Sequence, residues 1–385
     1  MDPIRILHLG LGDSYYGTES VILNLYRHID RARYQFDFLV SHHFQAIEYE
    51  AEVEALGGHV YRQYYKFYEK DQPGYLSPMD FWASHPEIQG GIHYNLNAFG
   101  VWHLQFLKAA KQLGYPIQLV HSHNALHGAD SLAMARTQLQ ATLLRSLAVR
   151  NSNCRIACSQ DAGHWGFGGS SFERFPNAVD AGRFAFDPEA RARLRAQHGL
   201  QDKLVLGFVG RLTNQKYPEF LLEILRAVNQ LREDAVLVLL GEGELRGTME
   251  EMIQAYKLDN VRFMGWVDNP QEWMQAFDLL LLPSRHEGLG LVLVEAQAAG
   301  LPCLASDQVP QEAKVTDRLR YLSIQSPEPW AQAIQTVDFS YDRRKGREAV
   351  AAAGHDIQEN AKRLEAIYDQ LLRQHPLGSA RGNTP

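Results

Sequence analysis

The sequence predicts an α/β protein with two domains, and three observations lead to this fold class. The length of 385 residues exceeds that of one typical domain. Short apolar runs typical of buried strands, such as Ile4 to Leu9, alternate with segments in which apolar residues recur at the helical period. The alternation starts again at Leu204, so the chain contains two similar halves. Strands that alternate with helices indicate a parallel sheet in each half.

Composition and charge argue against several classes of protein. Hydrophobic residues make up 45% of the chain and charged residues 22%, as in an ordinary globular protein. The net charge of −7 argues against a protein that binds nucleic acid over a broad surface. No apolar run approaches the roughly 20 residues of a membrane span, no leader precedes the first strand, and three cysteines provide no disulfide framework. We therefore expect a cytoplasmic protein.

In the first half, the strand Ile4 to Leu9 is followed by a glycine-bearing turn and an amphipathic helix. The turn does not match the G-x-G-x-x-G fingerprint of NAD-binding proteins, because Gly12 is followed by Asp13-Ser14-Tyr15. A glycine-rich loop is expected from Gly163 to Gly169. The later strands are expected at Tyr34 to Ser41, His59 to Gln63, Ile117 to His121 and Arg155 to Cys158, and the later helices at Ile47 to Leu56, Asn97 to Leu113 and Leu126 to Val149.

In the second half, strand and helix signals alternate as far as the last helix. Asn269-Pro270 is typical of a helix start, and Gly300-Leu301-Pro302 is typical of a helix end. The tail from His375 to Pro385 is rich in Gly, Ser, Arg and Pro and is predicted to be disordered. The strands are expected at Leu204 to Val209, Val236 to Leu240, Val261 to Met264, Leu279 to Leu282, Pro302 to Ala305 and Arg320 to Ile324, and the longest helices at Tyr217 to Leu231 and Ile357 to Leu372.

The stretch Asp278 to Pro302 combines a buried strand, a polar glycine-bearing loop and an apolar helix. A helix that begins after such a loop presents backbone N–H groups to an anion. Glu287 lies in the loop and Glu295 inside the helix. A carboxylate in such a buried place is unfavourable unless it is paired, and it accepts hydrogen bonds from sugar hydroxyls well. The stretch is therefore a candidate polyol-binding site beside backbone groups that favour an anion.

Two cations follow the strand Leu204 to Val209. Arg211 and Lys216 lie at the predicted junction between this strand and the next helix. Cationic side chains, backbone N–H groups and the helix dipole all favour an anion at such a junction. The two residues are thus candidate phosphate ligands, and the alternative is that they are surface charges at a helix start.

Two further segments of the first half are candidate ligand contacts. The strand Ile117 to His121 leads into Ser122 and His123, and ligands bind at the carboxyl ends of strands in open α/β sheets. A single histidine in that position is otherwise most often structural. The aromatic and basic segment Tyr61 to Tyr68 is suited to a membrane surface or an acceptor sugar, and covering an apolar edge of the domain is an equally good interpretation.

The stretch around Glu287 and Glu295 resembles a known family. Their spacing within S-R-H-E-G-L-G-L-V-L-V-E-A resembles the E-x7-E motif of retaining nucleotide-sugar glycosyltransferases, in particular family 4. Two glutamates at this spacing occur by chance in most proteins of this size. The strand before them, the EGLG within them and the A-x-A-x-G-x-P after them make the full pattern specific. A core helix with one solvated and one capping glutamate is the structural alternative.

Other segments extend the resemblance over nearly the whole chain, most strongly in residues 204–305 and least in residues 40–100. G-R-L-x-x-Q-K at Arg211 and Lys216 resembles the diphosphate clamp of the family. P-N-A-V-D resembles its interdomain linker N-G-V-D, with Ala178 in place of glycine. Gly17-x-Glu19 resembles the end of its N-terminal glycine loop, but Tyr16 replaces the first glycine, so a plain strand–helix turn is an alternative there.

The resemblance implies the GT-B architecture, in which two Rossmann-like domains flank a central cleft. Residues 1–178 would form the acceptor-binding domain, and a C-terminal helix at about residues 357–373 would cross back to it. Residues 179–356 would form the domain that binds the nucleotide sugar, and residues 375–385 a disordered tail. These boundaries follow from the position of the linker motif and from the second α/β alternation.

The resemblance also implies a role for each candidate residue. Glu287 would bind the donor sugar, Glu295 the ribose hydroxyls, and His123 the sugar near the reacting carbon. The residues with a catalytic role would be Glu287, His123, Lys216 and Arg211, with no metal ion. The donor would be bound by Arg211, Lys216, Glu295, Glu287, Gly288, Leu289, Gly290, Val267 and Gly17.

The implied activity is transfer of a sugar, with retention, from a nucleoside diphosphate donor of the UDP type. The acceptor would be a saccharide or a lipid-linked saccharide in polysaccharide or glycoconjugate synthesis, with peripheral contact at the cytoplasmic face of a membrane. No cofactor is expected. A nucleotide-sugar epimerase, or a non-catalytic protein that binds a nucleotide sugar on the same fold, stays open as an alternative. A phosphorylase would need a pyridoxal lysine motif, which the sequence does not show.

Overall fold

The computed structural model describes residues 2–15, 17–64, 70–97, 100–123 and 133–377, with side chains from residue 142 onward in the last range. Five sequence-based predictions fall at least partly on residues that lie outside this description. They are Tyr16 in the glycine loop, residues 65–68 of the aromatic segment, residues 98–99 and 126–132 near the starts of two predicted helices, and the tail from residue 378.

The chain divides into two compact units. The first unit comprises Met1–Asn177 and Ile357–Pro385, and the second comprises Ala178–Asp356. Each unit has its own sheet, in which all strand pairs are parallel. The fold class predicted from the sequence, α/β with two Rossmann-like units, is confirmed.

The first unit contains a seven-stranded sheet in the order β3-β2-β1-β4-β5-β6-β7. Its strands are β1 Ile4–Leu9, β2 Tyr34–Ser41, β3 Val60–Gln63, β4 Gly91–Leu96, β5 Ile117–Ser122, β6 Cys154–Ala157 and β7 Glu173–Arg174. Its helices before the linker are α1 Gly17–His28, α2 Glu50–Ala55, α3 Pro78–Ser84, α4 Val101–Gln112, α5 Ala133–Asn151 and α6 Gln160–Phe167.

The second unit contains a six-stranded sheet in the order β10-β9-β8-β11-β12-β13. Its strands are β8 Leu204–Val209, β9 Ala235–Leu240, β10 Val261–Gly265, β11 Leu279–Leu282, β12 Cys303–Ser306 and β13 Leu319–Leu322. Its helices are α7 Pro188–Gln197, α8 Glu219–Asn229, α9 Arg246–Tyr256, α10 Pro270–Ala276, α11 Leu291–Ala298, α12 Glu328–Gln335 and α13 Lys345–Ala352.

The strand order of the second sheet determines where a ligand can bind. Every residue of β9 and of β11 is buried, because both faces of the sheet are covered by helices. From β8 to β10 each new strand is added on one side of β8, and from β11 to β13 on its other side. The boundary between β8 and β11, which are neighbours in the sheet, is therefore the switch point of the sheet. The loops that follow these two strands therefore emerge side by side at the carboxyl edge, where open α/β sheets bind their ligands.

The last helix, α14 Ile357–Gln374, belongs to the first unit. The hydroxyl of its Tyr368 lies 2.6 Å from Nδ1 of His93 on β4. Its Asp369 accepts a hydrogen bond from Arg33 at 2.6 Å. The chain thus leaves the first unit at the linker and returns to it after the second unit.

Several predicted elements differ from the structure. The strand β4 and the helix α3 were not predicted, and the helices expected at Ile47 and Asn97 begin later, at Glu50 and Val101. The prediction of a glycine-rich loop from Gly163 to Gly169 was wrong, because most of this segment forms α6. That helix is capped by Ser159, whose hydroxyl accepts the N–H of Ala162 at 3.0 Å.

No helix in the part of the chain that the structure describes is both long and apolar enough to cross a bilayer.

Candidate active site

The loops after β8 and β11 bring two predicted site residues into contact. Lys216 Nζ lies 2.6 Å from Oε1 of Glu287, although 71 residues separate them in the sequence. The Glu287 side chain is only 6% exposed and that of Lys216 is 19% exposed. A carboxylate in this position is stabilised by its cationic partner, and a lone buried charge would be strongly unfavourable. The pair lies at the switch point of the second sheet.

Ser284, which the sequence analysis did not single out, orients the same carboxylate. Its buried hydroxyl donates a hydrogen bond to Glu287 Oε1 at 2.6 Å. Within the described residues, no hydrogen bond reaches Oε2 of Glu287. One oxygen of the carboxylate is therefore held by the protein, and the other is able to accept a hydrogen bond from a ligand hydroxyl.

The two loops are also joined through their backbones. The N–H of Arg285 donates to the carbonyl oxygen of Gln215 at 2.8 Å. The Gln215 side-chain amide donates to the carbonyl oxygen of His286 at 3.2 Å. These bonds flank the contact between Lys216 and Glu287, so they fix the distance between the loops that present it.

The helix α11 begins directly beside this pair. Gly290 is its N-cap residue, has a φ of 77°, and makes no side-chain capping hydrogen bond. The N–H groups of the first turn of a helix have no intrahelical acceptor, and the helix dipole favours negative charge there. Gly288 is exposed and Leu289 is buried, so the loop before α11 offers its backbone on one side and an apolar anchor on the other.

Glu295 lies on α11 and is partly buried. Burial raises the pKa of its carboxyl to about 7, and the positive charges of Arg183 and Lys216 oppose this rise. Within the described part of the chain, its carboxylate makes no hydrogen bond. The site therefore holds a carboxylate that is close to its titration point at neutral pH and able to accept from a ligand. Arg183, just after the linker motif, was missed in the sequence because it belongs to no phosphate-binding pattern.

Arg211 and Val267 follow β8 and β10, two strands that β9 separates in the sheet. Arg211 follows β8, and its side chain is exposed. Its backbone is fixed on both sides, because Gly210 donates a hydrogen bond to the carbonyl oxygen of Leu240 at 3.0 Å and Leu212 donates to that of Glu242 at 2.9 Å. Val267 follows β10 and packs against the core of the second unit. Six of the predicted residues lie in the two loops at the switch point, namely Arg211, Lys216 and the four residues from Glu287 to Gly290.

His123 belongs to the first unit and follows β5. Its ring is buried, and Nε2 lies 3.2 Å from Oδ1 of Asn95 on β4. Burial lowers the pKa of His123 to about 3, so its imidazole is neutral at physiological pH, although Asn177 favours the protonated form. Asn95 was not singled out from the sequence, because β4 itself was not predicted. Gly17, the first residue of α1, has open space around it.

No group of three or more His, Cys, Asp or Glu side chains among the described residues is arranged to hold a metal ion.

Comparison with known proteins identifies the family. The family described as glycosyl transferases group 1 matches residues 190–347. A glycosyltransferase designated EpsF, from Bacillus subtilis (strain 168), is 31% identical over 382 residues, which span 95% of this chain and 96% of the Bacillus protein. This chain belongs to the group 1 glycosyltransferases. The matched family segment includes Lys216, Glu287 and Glu295, so the residues of the switch-point site lie within it.

This glycosyltransferase is also similar to a second curated enzyme and to a solved structure. The UDP-Gal:alpha-D-GlcNAc-diphosphoundecaprenol alpha-1,3-galactosyltransferase of Escherichia coli is 34% identical over 140 residues, 34% of this chain and 35% of that protein. The crystal structure of Anabaena HepE in complex with UDP superimposes with a TM-score of 0.77 at 19% identity, over 95% of this chain and 100% of HepE. The glycosyltransferase therefore has the fold of the GT-B enzymes.

Proposed function

We propose that this glycosyltransferase is a retaining enzyme of family 4 that moves a sugar from a UDP-sugar to a saccharide or lipid-linked saccharide. The contact between Lys216 and Glu287 at the switch point is the observation that supports this proposal most directly. In such a pair, the cation can bind a diphosphate, and the carboxylate can bind the sugar that is attached to that diphosphate. The complexes of HepE with UDP and with UDP-glucose support the choice of nucleotide.

The diphosphate is assigned to the cations that follow β8. An ammonium group has three N–H donors, and Glu287 uses one of those of Lys216, so two remain for phosphate oxygens. Arg211 adds a second, exposed cation, and the N–H groups of Gly288 to Gly290 add the start of α11. These groups lie on neighbouring strand ends, which supports a single binding site for both phosphates.

The sugar and the nucleoside are assigned to the two glutamates and the strand ends. Glu287 accepts from a donor-sugar hydroxyl through Oε2, and Glu295 accepts from the ribose hydroxyls. Backbone groups at Val267 contact the base. As the family resemblance implies, we assign to Gly17 a contact with the donor phosphate and to His123 a contact with the transferred sugar. The depressed pKa of His123 means that it acts as a neutral imidazole.

The reaction that we propose breaks the bond between the anomeric carbon and the phosphate oxygen. The acceptor hydroxyl forms the new bond on the same face of the sugar, and its proton passes to the departing phosphate. Lys216 and Arg211 stabilise the negative charge that develops on the leaving diphosphate, which is the role of a divalent metal in other transferases. We therefore propose that transfer needs no metal ion.

The acceptor is proposed from the relative in Escherichia coli, whose name specifies an acceptor linked to diphosphoundecaprenol. A substrate of this kind is embedded in a membrane by its polyprenyl chain. We propose that this glycosyltransferase works at the cytoplasmic face of a membrane in polysaccharide or glycoconjugate synthesis. A free saccharide is the other acceptor to be assayed.

Transfer by Lys216→Ala and Glu287→Ala variants tests the proposal. A panel of nucleotide sugars is first screened for protection against thermal unfolding, since a bound donor stabilises the folded state. With the donor so found, and with EDTA present, we expect each variant to lower kcat/KM by at least about 100-fold, because each removes stabilisation of the leaving group or of the sugar. The product is followed by NMR to establish the configuration at the anomeric carbon.

Lys345→Ala is the matched control, because Lys345 is an exposed lysine of the same unit. It should transfer sugar at the wild-type rate. Full activity in Lys216→Ala or in Glu287→Ala would refute the assignment of the site. Conversion of the nucleotide sugar in the absence of any acceptor would instead indicate an epimerase.

A further inference from the structure

Tyr217, the residue after Lys216, has an unusual backbone conformation. Its φ is 50°, in the left-handed region that residues other than glycine rarely adopt. In the described part of the chain, Lys257 is the other non-glycine residue with a positive φ, and it has the ordinary role of capping the end of α9. Tyr217 ends no helix. Strain of this kind persists where the surrounding contacts maintain it, and it is concentrated at functional sites.

The Tyr217 ring contacts side chains of two other segments, and its N–H donates to the carbonyl oxygen of Thr213 at 3.1 Å. The guanidinium carbon of Arg285 lies 3.7 Å from the ring centroid, in the geometry of a cation–π interaction. On α8, the ring of Phe220 is stacked with that of Tyr217, with a centroid separation of 5.4 Å and an interplanar angle of 16°. Tyr217 therefore connects the loop after β8 with both α8 and the loop after β11.

The stack is one of several contacts between the two loops. Residues 215–217 of one loop face residues 285–287 of the other. Gln215 is bound to the backbone of Arg285 and of His286, and Lys216 is bound to Glu287. Tyr217 and Arg285 add the side-chain contact. The ion pair is thus held between a backbone clamp and an aromatic–guanidinium stack.

We propose that Tyr217 and Arg285 are positioning residues for the donor diphosphate, and that their stack holds Lys216 against Glu287 before the donor binds. This inference rests on the proposed function, because it concerns the same site. A long lysine side chain loses much rotational freedom when it is fixed on a ligand. A loop that is already fixed reduces this loss at the moment of binding, and so increases the affinity.

Calorimetric measurement of UDP affinity in a set of variants tests the inference. Tyr217→Gly removes the ring but keeps the left-handed backbone accessible, since glycine adopts it freely. Arg285→Gln removes the cation from the same stack. We expect each to weaken UDP binding about tenfold, and the double variant to bind no more weakly than either single one, because both remove one interaction. Tyr217→Phe, which keeps the ring, should recover the affinity that Tyr217→Gly loses.

The outcomes separate positioning from other roles. If Tyr217→Gly lowers the unfolding temperature without UDP but leaves the UDP affinity unchanged, the stack is merely structural and the inference is wrong. If Arg285→Gln weakens binding while Tyr217→Gly does not, Arg285 contacts the phosphate directly, and the inference is again wrong. A wild-type protein that binds no UDP would refute the proposed donor, whereas equal binding by all variants and the wild type would refute only the inference.

Discussion

Glu295 is a carboxylate that folding makes less acidic. Burial raises its pKa to about 7 from the ordinary value of 4.5, and the positive charges of Arg183 and Lys216 compensate only in part. The ionised form is thus less favourable in the folded than in the unfolded protein. The resulting destabilisation grows between pH 4.5 and pH 7 and is complete above pH 7. A residue with this property lowers stability, which is consistent with the donor-binding role that we propose for Glu295.

Glu295→Gln should therefore be more stable than the wild type and bind the donor more weakly. Above pH 7 we expect its free energy of unfolding to be higher by roughly 1–3 kcal/mol, because the buried charge is gone. Its affinity for UDP should fall, because an amide oxygen accepts the ribose hydroxyls less strongly than a carboxylate does. Urea unfolding and calorimetry at pH 8 measure the two effects.

The pH dependence provides the control for Glu295→Gln. Its gain in stability should decline between pH 7 and pH 4.5, where the folded wild-type carboxyl takes up its proton. A gain that does not depend on pH would mean that packing, and not the charge, causes it. A loss of stability at pH 8 would contradict the raised pKa.

The types of the site residues could be predicted from the sequence, but their contacts could not. Lys216 and Glu287 were identified because each follows a clear buried strand. Their pairing with one another depends on the strand order, which brings together loops that are 71 residues apart. Ser284 was missed because a serine at the end of a strand is common and carries no pattern. Arg285 and Tyr217 were missed because a positive φ at a tyrosine leaves no trace in the sequence.

At the scale of single elements, α11 ends in a Schellman motif. The N–H of Leu301 donates to the carbonyl oxygen of Ala296 at 2.9 Å, and that of Gly300 donates to Gln297 at 3.0 Å. Gly300 has a φ of 65°, and a Cβ there would lie 2.1 Å from the carbonyl oxygen of Arg343. Both the backbone conformation and the lack of space require glycine, as the sequence signal Gly300-Leu301-Pro302 predicted.

Gly300→Ala should destabilise the second unit strongly. An added Cβ meets both a left-handed backbone and the main chain at Arg343, so α11 must shift together with the Glu295 that it bears. We expect a loss of about 2–4 kcal/mol in the free energy of unfolding, since overpacking typically costs about 1–3 kcal/mol and the backbone strain about another 1 kcal/mol. Urea unfolding followed by tryptophan fluorescence measures the loss.

Gly354→Ala is the matched control for the backbone alone. Gly354 has a φ of 82° in the same unit, but nothing lies within 4 Å of the position that its Cβ would occupy. Its alanine variant should lose only about 1 kcal/mol. Equal losses in the two variants would show that the contact with Arg343 relaxes without cost.

Among the strands that could be predicted from the sequence, the clearest are those in which every residue belongs to one continuous apolar run. β8 and β11 occupy the predicted residues, because both are apolar runs with clear ends. β4 was missed since His93 and Asn95 interrupt its apolar pattern, and these polar residues are buried by contacts with distant residues. The glycines of α6 suggested a loop, but a Cβ at Gly163 would lie 2.1 Å from the ring of Phe172. Close packing here outweighs the low helix propensity of glycine.

At the scale of the whole molecule, the two units differ in how they bury titratable groups. The first unit contains a row of buried histidines on neighbouring strands, with His8 on β1, His93 on β4 and His121 on β5. The rings of His8 and His93 are 4.5 Å apart, and His123 lies 3.8 Å from His121. The hydroxyl of Tyr368 on α14 lies 2.6 Å from Nδ1 of His93, so this helix covers the row of histidines at that point.

Burial lowers the pKa of all four histidines. It lowers those of His8 and His123 to about 3 and those of His93 and His121 well below the ordinary value of 6.5. Below pH 6.5 the unfolded chain takes up protons that the folded unit does not, so stability is full above pH 6.5 and is lost as the pH falls. Each histidine contributes about 1.4 kcal/mol per pH unit below that value.

The first unit should consequently open before the second unit on mild acidification. Between pH 6.5 and pH 5 we expect the hydrogen-exchange protection of β1, β4 and β5, corrected for the intrinsic rate, to fall more steeply than that of β8, β9 and β11 in the same sample. His8→Leu removes one titrating group and a buried ring nitrogen, Nε2, that has no hydrogen-bond partner in the described residues. In His8→Leu, the pH dependence of the protection of the first unit should therefore correspond to about one proton fewer than in the wild type. Equal slopes in the two units, or in His8→Leu and the wild type, would show that the row takes up protons without unfolding, which would require water to enter beneath α14.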